Sequence, residues 1–183
     1  MSLFSMTQGE MVDHFEKIKE MINNLLKNVS VEEFNKRQHE NKWSAAECVE
    51  HLNNAAQIYL SNIPRIPKRS AVIIDEETKI KSGMFAKMFI SLSGPKVKIK
   101  IKSPKSMNVI ESNYKKDIID DFLSLQDEFL KILVSLDPED LKTIQVAWPT
   151  FELKKITLGE VMMITIAHEI RHINQAERAI DSQ

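Results

Sequence analysis

The chain has 183 residues, and its 25 basic and 26 acidic side chains leave a net charge of −1. This length is enough for one domain with a sizeable core, and the near-neutral charge is not typical of proteins that bind nucleic acid or anionic membranes. The four glycines lack the spacing of a dinucleotide-binding or phosphate-binding loop. The single cysteine, Cys48, excludes an intrachain disulfide framework and fits a reducing compartment. Since the chain has neither a bilayer-length apolar run nor a signal-peptide pattern, we expect a soluble cytoplasmic domain.

Four long segments have the periodicity of helices, near residues 8–28, 44–63, 112–136 and 158–180. In the first three, apolar side chains recur at steps of three and four and form one stripe. The first half of the last segment is apolar on nearly every side, which is typical of a helix at the centre of a bundle. The sequence therefore predicts a single all-α domain over residues 1–183, built as a four-helix bundle, with residues 1–7 as a flexible terminus.

Short motifs predict where the helices begin. A Ser or Thr followed three residues later by Glu forms a capping box, in which each side chain accepts a hydrogen bond from the backbone N–H of the other residue. We identify three such pairs as helix starts: Ser30 and Glu33, Ser44 and Glu47, and Thr157 and Glu160. Trp43 precedes the second pair and is placed for a hydrophobic staple. Asp137 followed by Pro138 predicts the start of a short extra helix.

The segment between the second and third long helices, residues 64–108, is predicted to be an elaboration on the bundle. Apolar side chains within residues 80–89 favour a short amphipathic helix that ends at Gly94. Residues 96–102 alternate lysine with β-branched residues, a pattern typical of an extended strand. We expect these lysines to protect a solvated strand edge rather than to bind nucleic acid. A loop containing Trp148 precedes the last helix.

Two of the five histidines, His168 and His172, are the strongest candidates for chemistry. Their spacing of four places both rings on one helix face in apolar surroundings, where unpaired imidazoles are costly to bury. A divalent metal offsets this cost because it binds neutral imidazole nitrogen directly, and a hydrogen-bonded pair without a metal is the alternative that the pattern leaves open. His51, beside the apolar stripe of the second helix, is the best candidate for a third ligand. His14 and His39 lie in charged or polar stretches and are weaker candidates.

The string from His168 to His172 also matches His-Glu-x-x-His, in which Glu169 would be the general base of a zinc protease. Such proteases usually take a third ligand downstream, and no histidine follows His172. We regard the protease as the weaker interpretation. Glu169 is also a candidate proton acceptor beside a metal, with a salt bridge as the alternative. Gln175 projects on the side of the histidine pair and could orient a ligand histidine or a bound water.

Two stretches of the chain resemble signatures of the DinB/YfiT-like superfamily. Residues 43–52, Trp-Ser-Ala-Ala-Glu-Cys-Val-Glu-His-Leu, are similar to its first signature, in which a Trp-Ser capping box opens the second helix and a histidine follows. Residues 168–175 contain a His-x-x-x-His-x-x-Gln pattern, preceded by Thr-Leu-Gly-Glu at residues 157–160, which is similar to the second signature. In element order the resemblance spans roughly residues 10–180.

This resemblance implies an up-down-down-up four-helix bundle with a three-histidine site for a divalent metal. By motif position, the ligands would be His51, His168 and His172. The resemblance also implies relatives that are metal-dependent thiol transferases or isomerases using a low-molecular-weight thiol, some of them described as hydrolases. DNA binding is not a trait of the family. Over residues 64–108 the chain departs from the family pattern. This departure affects the expectation for the substrate rather than the expectation for the metal site.

The expected function is therefore that of a metal-dependent enzyme acting on a small molecule, in the first place a thiol S-transferase. The alternatives are a metal-dependent hydrolase of a small substrate and a non-catalytic metal-binding or interaction protein. Three neutral imidazoles leave an open coordination position and accept zinc, nickel, iron or copper. We expect no nucleic-acid or membrane partner, and a homodimer is compatible with the sequence. Cys48, one turn before His51, is expected to be a core residue rather than a ligand or reactive thiol.

Overall fold

The computed structural model describes residues 2–66, 73–94, 109, 113–148 and 151–181, with the backbone alone at residues 151–153. The helices are α1 (Gln8–Leu26), α2 (Val31–Asn35), α3 (Ala45–Asn62), α4 (Met84–Ser93), α5 (Asp117–Val134), α6 (Pro138–Thr143) and α7 (Leu158–Asp181). Strand β1 (Ser5–Met6) pairs with β2 (Ile80–Lys81), and β3 (Gln145–Trp148) pairs with β4 (Phe151–Thr157), both antiparallel. The predicted all-α bundle with four long helices is confirmed. Within the described ranges, none of the helices is both long and apolar enough for a membrane crossing.

The predicted capping boxes all form and set the helix starts. At α3 the backbone N–H of Glu47 donates to Ser44 Oγ (3.2 Å), and the N–H of Ser44 donates to a Glu47 carboxylate oxygen (2.8 Å). The same exchange opens α2 and α7. Asp137 caps α6 with Pro138 in its first turn, as predicted. A further box that the sequence analysis missed, Thr7 with Glu10, opens α1.

The predicted boundaries of the long helices agree with the structure to within two residues, except at the start of α5. The prediction placed this start near residue 112, whereas α5 begins at Asp117. The side chain of Asn35 accounts for the difference, because it accepts a hydrogen bond from the Tyr114 N–H (2.7 Å) and donates to the Tyr114 carbonyl (2.8 Å). Both backbone groups of Tyr114 are therefore satisfied by a side chain outside the helix.

Hydrogen bonds between helices fix their relative directions. The side-chain amide of Gln8, at the start of α1, donates to the carbonyls of Leu133 and Leu136 at the end of α5, each at 2.7 Å. Near the middle of both helices, Lys19 of α1 forms an ion pair with Asp127 of α5 at 2.7 Å. These contacts make α1 and α5 antiparallel, and the Phe15 and Phe129 rings stack between them with centroids 5.2 Å apart. The bundle core is thus closed along the α1–α5 interface.

Helix α4 lies along α7 and runs in the same direction. At the start of α4, the Gly83 N–H donates to a Glu160 carboxylate oxygen near the start of α7 (2.7 Å). At its end, the Arg171 guanidinium donates to the carbonyl of Leu92. The predicted helix in this segment therefore exists and ends before Gly94, although Ile80 belongs to β2 rather than to the helix. The predicted strand over residues 96–102 lies outside the described residues.

Two expectations are corrected by the strand pairs. Residues 1–7 were expected to be a flexible terminus, but Ser5 and Met6 pair with β2, and the Met6 side chain is fully buried in the core. The segment around Trp148 was expected to be a loop, but it forms the β3–β4 hairpin. Val146 and Trp148 alternate with more exposed neighbours and bury their side chains, which is the period-2 pattern of a half-buried strand. The sequence signal was present but spans only four residues.

A buried polar pair joins α5 to α7. The Gln126 amide donates to Glu169 Oε1 at 3.0 Å, and the two residues are 0% and 1% exposed. Among the residues that the structure describes, Gln126 Oε1 and Glu169 Oε2 have no hydrogen-bond partner. Burial raises the pKa of the Glu169 carboxyl to about 8, although the hydrogen bond from Gln126 acts in the opposite direction. The Glu169 carboxyl is therefore largely protonated at neutral pH.

This raised pKa makes the stability of the metal-free protein depend on pH. Between the ordinary carboxyl pKa of 4.5 and about 8, the folded state binds more protons at Glu169 than the unfolded state. The free energy of unfolding should therefore fall as pH rises through this window, by at most about 1.4 kcal/mol per pH unit. Glu169→Gln removes the ionisation and adds an N–H group that can donate to Gln126 Oε1. We expect urea unfolding to show the variant as more stable than the wild type at pH 8 and similar to it at pH 5.

The matched control is Glu177→Gln, which makes the same change of charge at an exposed position of α7. We expect it to change the free energy of unfolding by no more than about 0.5 kcal/mol at either pH. Equal pH dependence in the wild type and in Glu169→Gln would show that the Glu169 carboxyl titrates near its ordinary pKa.

Candidate metal centre

Three histidines from two helices converge inside the bundle. Helix α7 carries His168 and His172 one turn apart, and α3 carries His51 opposite them. The Nε2 atoms of His51 and His168 are 3.1 Å apart, and the ring centroids of the three pairs are 4.7–5.0 Å apart. One nitrogen from each ring lies within 4.8 Å of the other two. The structure thus brings together the three histidines that the sequence analysis named as metal ligands, and we call them the histidine cluster.

The surroundings favour neutral imidazoles at His168 and His172. Burial lowers the pKa of His168 to about 3, with a further lowering by the neighbouring His51. Burial also lowers the pKa of His172 well below its ordinary value, and the other two histidines act in the same direction. Both rings are therefore uncharged at neutral pH, which is the form of histidine that binds a metal ion.

One nitrogen–nitrogen distance of the cluster matches the geometry of a small divalent cation. Zinc–nitrogen distances of about 2.0–2.1 Å at a tetrahedral centre place two ligand nitrogens roughly 3.3 Å apart. The observed 3.1 Å between His51 Nε2 and His168 Nε2 is close to this value. Without a cation, so short a separation requires one of these nitrogens to carry a proton and donate it to the other. In addition, Nδ1 of His172 is buried and has no hydrogen-bond partner within the described part of the chain.

The histidine of α3 is more deeply buried than the two histidines of α7. His51 is 2% exposed, whereas His168 and His172 are each partly exposed. A cation held by the three rings would therefore be approached from solvent past the two α7 histidines. An accessible fourth position distinguishes catalytic metal sites from closed structural ones.

The start of α3, which positions His51, is fixed by a buried carboxylate. Glu47 is 1% exposed, completes the capping box with Ser44, and forms a two-pronged ion pair with Arg37. Burial by itself raises the pKa of the Glu47 carboxyl, but the hydrogen bonds from Arg37 and Ser44 outweigh it and hold the pKa below its ordinary value. Glu47 is therefore ionised at neutral pH and ties the preceding loop to the first turn of α3, one turn before His51.

Trp43 lies against the histidine cluster, a contact that the sequence analysis did not foresee. Its indole centroid is 4.8 Å from the His51 ring and 5.7 Å from the His172 ring. The sequence placed Trp43 in a hydrophobic staple at the start of α3, from its position next to Ser44. The contact of Trp43 with the two histidine rings could not be inferred in the same way, because it depends on α7 lying beside α3.

Glu169 and Gln175, the two residues that the sequence analysis named as candidates beside the metal, lie in different parts of the structure. Glu169 is hydrogen-bonded to Gln126 of α5 and is not among the residues of the histidine cluster. Gln175 lies on the same side of α7 as His172, and a hydrogen bond that its side chain accepts from the imidazole partly offsets the lowering of the His172 pKa. The structure therefore places Gln175 beside a candidate ligand and Glu169 at the α5–α7 interface.

The weaker candidates lie apart from the cluster. Within the described residues, His14 and His39 do not belong to the group that could hold a metal ion. His14 is half-buried on α1, and burial lowers its pKa. Cys48 is fully buried, and burial raises the pKa of its thiol far above the ordinary range, which makes it an unreactive core residue. Trp148 makes its ring contacts with Tyr59, Phe85 and Phe89.

Comparison with known proteins gives one family match. The profile of the DinB superfamily matches residues 14–176, a span that includes all three histidines of the cluster, Trp43 and Gln175. Searches of curated proteins and of solved structures found no match. Since the family profile covers well over half of the chain and the helices form the expected bundle, the protein belongs to the DinB superfamily.

Proposed function

We propose that this protein is a metal-dependent enzyme that binds one divalent cation through His51, His168 and His172 and acts on a small molecule. The observation that carries the proposal is the convergence of three imidazole nitrogens within 4.8 Å of one another. Placing three such rings together in a bundle interior costs free energy unless a cation or a hydrogen bond satisfies their nitrogens. Burial keeps His168 and His172 uncharged at neutral pH, which is the form of imidazole that binds a cation.

The proposed reaction class is transfer of a low-molecular-weight thiol to a small electrophile. Three neutral ligands leave the charge of a divalent cation uncompensated, and at neutral pH such a cation favours the thiolate form of a bound thiol. Zinc, nickel and iron are the cations best suited to three imidazoles, and the donor set does not select among them. Hydrolysis of a small substrate is the second candidate, since a site with an accessible position also suits it.

The residues of the chain have separate roles in this proposal. His51 is buried and fixed by the start of α3, so it anchors the site, while His168 and His172 are partly exposed and lie on the side from which a substrate would approach. Gln175 orients the His172 ring through its side-chain contact. Glu169, turned towards Gln126, serves the packing of α5 against α7 rather than proton transfer at the cation.

The ligand assignment predicts how metal content responds to mutation. We expect His51→Ala, His168→Ala and His172→Ala each to weaken zinc binding by more than about 100-fold, since loss of a ligand should exceed the 10–100-fold effect of losing a residue that merely supports one. Metal content by elemental analysis and affinity by competition with a chromophoric chelator provide the measurement, on protein purified without a histidine tag.

The controls for this experiment are His14→Ala and His39→Ala, which remove histidines outside the cluster. Both should keep the stoichiometry and affinity of the wild type. Full occupancy in His51→Ala would show that the third ligand is another residue, and a wild type that binds no divalent cation would refute the metal site as a whole.

The reaction class predicts a distinctive dependence on pH. In conjugation assays with small electrophiles and a panel of low-molecular-weight thiols, metal-loaded protein should stay active from pH 9 down to pH 6. Free thiols have a pKa of about 8.5, so any rate with metal-stripped protein should fall about tenfold for each pH unit below that value. His168→Ala should behave like stripped protein at every pH.

Two results would redirect the assignment. If loaded protein never exceeds the stripped control with any thiol but hydrolyses members of an ester and amide panel, the protein is a hydrolase. If both panels fail while metal binding persists, the protein is a non-catalytic metal-binding protein.

A further inference from the structure

The Trp43 indole bridges the two helices that carry the histidine cluster. It is tilted by 51° against the His51 ring of α3 and by 33° against the His172 ring of α7, at centroid distances of 4.8 and 5.7 Å. These separations lie in the range over which aromatic rings pack favourably. One side chain outside both helices therefore contacts two of the three candidate ligands.

The loop that presents Trp43, residues 36–44, is fastened at several points. Ser44, the next residue, is the N-cap of α3, and Arg37 is paired with the buried Glu47. The Gln38 side chain donates to the carbonyl of Arg178 on α7, and the Lys42 N–H donates to the His39 carbonyl. The loop is thus attached to both α3 and α7, so the indole is held at the cluster rather than free to leave it.

A ring that binds a metal must be fixed in orientation, which proteins usually achieve by a hydrogen bond to its second nitrogen. At His172, the Gln175 side chain makes one hydrogen bond to the ring, and Nδ1 has no hydrogen-bond partner among the described residues. Packing against a neighbouring aromatic ring is therefore a further constraint on the orientation of His172. Trp43 is the aromatic side chain that packs against this ring from outside the cluster, and it packs against His51 at the same time.

We propose that Trp43 is a positioning residue of the metal site, whose indole holds the His51 and His172 rings in the orientation that lets three nitrogens meet at one cation. The inference rests on the proposed function, since it assumes that the cluster binds a metal. It gives Trp43 a role beyond the start of α3, which Ser44 and Glu47 already secure through their own hydrogen bonds.

The test compares Trp43→Ala, Trp43→Leu and Trp43→Phe with the wild type in Co²⁺ titrations of metal-free protein. The visible absorption of bound Co²⁺ gives both the affinity and, through band position and intensity, the coordination geometry. We expect Trp43→Ala and Trp43→Leu to weaken binding by about tenfold or more, the scale of one to two aromatic contacts, and to alter the spectrum. Trp43→Phe, which keeps an aromatic face, should recover most of the affinity.

Trp148→Phe is the matched control, since it changes the second tryptophan of the chain, which packs with Tyr59 and Phe89 instead of the cluster. It should leave the affinity and the Co²⁺ spectrum unchanged. Because Trp43 is then the sole tryptophan, its fluorescence should be quenched in step with Co²⁺ binding at one equivalent. Thermal unfolding of each metal-free variant identifies the temperature at which all are folded, and affinities are compared there.

The outcomes separate this proposal from the proposed function. If the wild type binds one Co²⁺ and folded Trp43→Ala or Trp43→Leu binds it with the same affinity and spectrum, Trp43 does not position the ligands, while the metal site stands. If Trp43→Ala does not fold, Trp43→Leu is compared with Trp43→Phe. Equal Co²⁺ affinity and equal spectra in these two variants would show that Trp43 does not position the ligands. If the wild type binds no Co²⁺, the metal site fails, and the role of Trp43 fails with it.

Discussion

The antiparallel packing of α3 on α7 is the contact on which the rest of the site depends. It brings His51 against His168 and His172, with two Nε2 atoms 3.1 Å apart. Rings so close together in a bundle interior cannot all be positively charged. Burial lowers the pKa values of His168 and His172, so both rings are neutral at neutral pH. A neutral imidazole has a free nitrogen lone pair, which is costly to bury without a partner. The same packing that closes the core therefore brings together nitrogens that need a partner, which a proton shared between two rings or a cation would supply.

Polar residues of α7 contact three different neighbouring helices. His168 and His172 face α3, Glu169 meets Gln126 of α5, and Arg171 binds the end of α4 at the Leu92 carbonyl. On a helix that is surrounded on most sides, a buried polar group can pair only with the element packed against it. Residues that are adjacent in the sequence of α7 therefore contact different elements of the fold.

The surroundings of the cluster also explain why the helix starts matter for chemistry. The buried Glu47 is ionised because Arg37 and Ser44 hydrogen-bond to it, and this arrangement fixes the first turn of α3 one turn before His51. The loop before it carries Trp43 onto the His51 and His172 rings. The hydrogen bonds that fix the start of α3 thereby also influence the geometry of the histidine cluster in the bundle interior.

The sequence by itself determined the four long helices, most of the capping boxes and the His168–His172 pair, because these follow from local spacing: apolar stripes at steps of three and four, Ser44 with Glu47, and two histidines one turn apart. The pairing of β3 with β4 was missed because the described part of β3 spans only four residues. The pairing of Ser5 and Met6 and the delayed start of α5 were missed because each depends on a partner distant in the chain. For the same reason, only the tertiary structure decided that Glu169 pairs with Gln126 and that Trp43 covers two histidines. Helical periodicity gives the direction of a side chain around its own axis, but which element lies in that direction is set by packing.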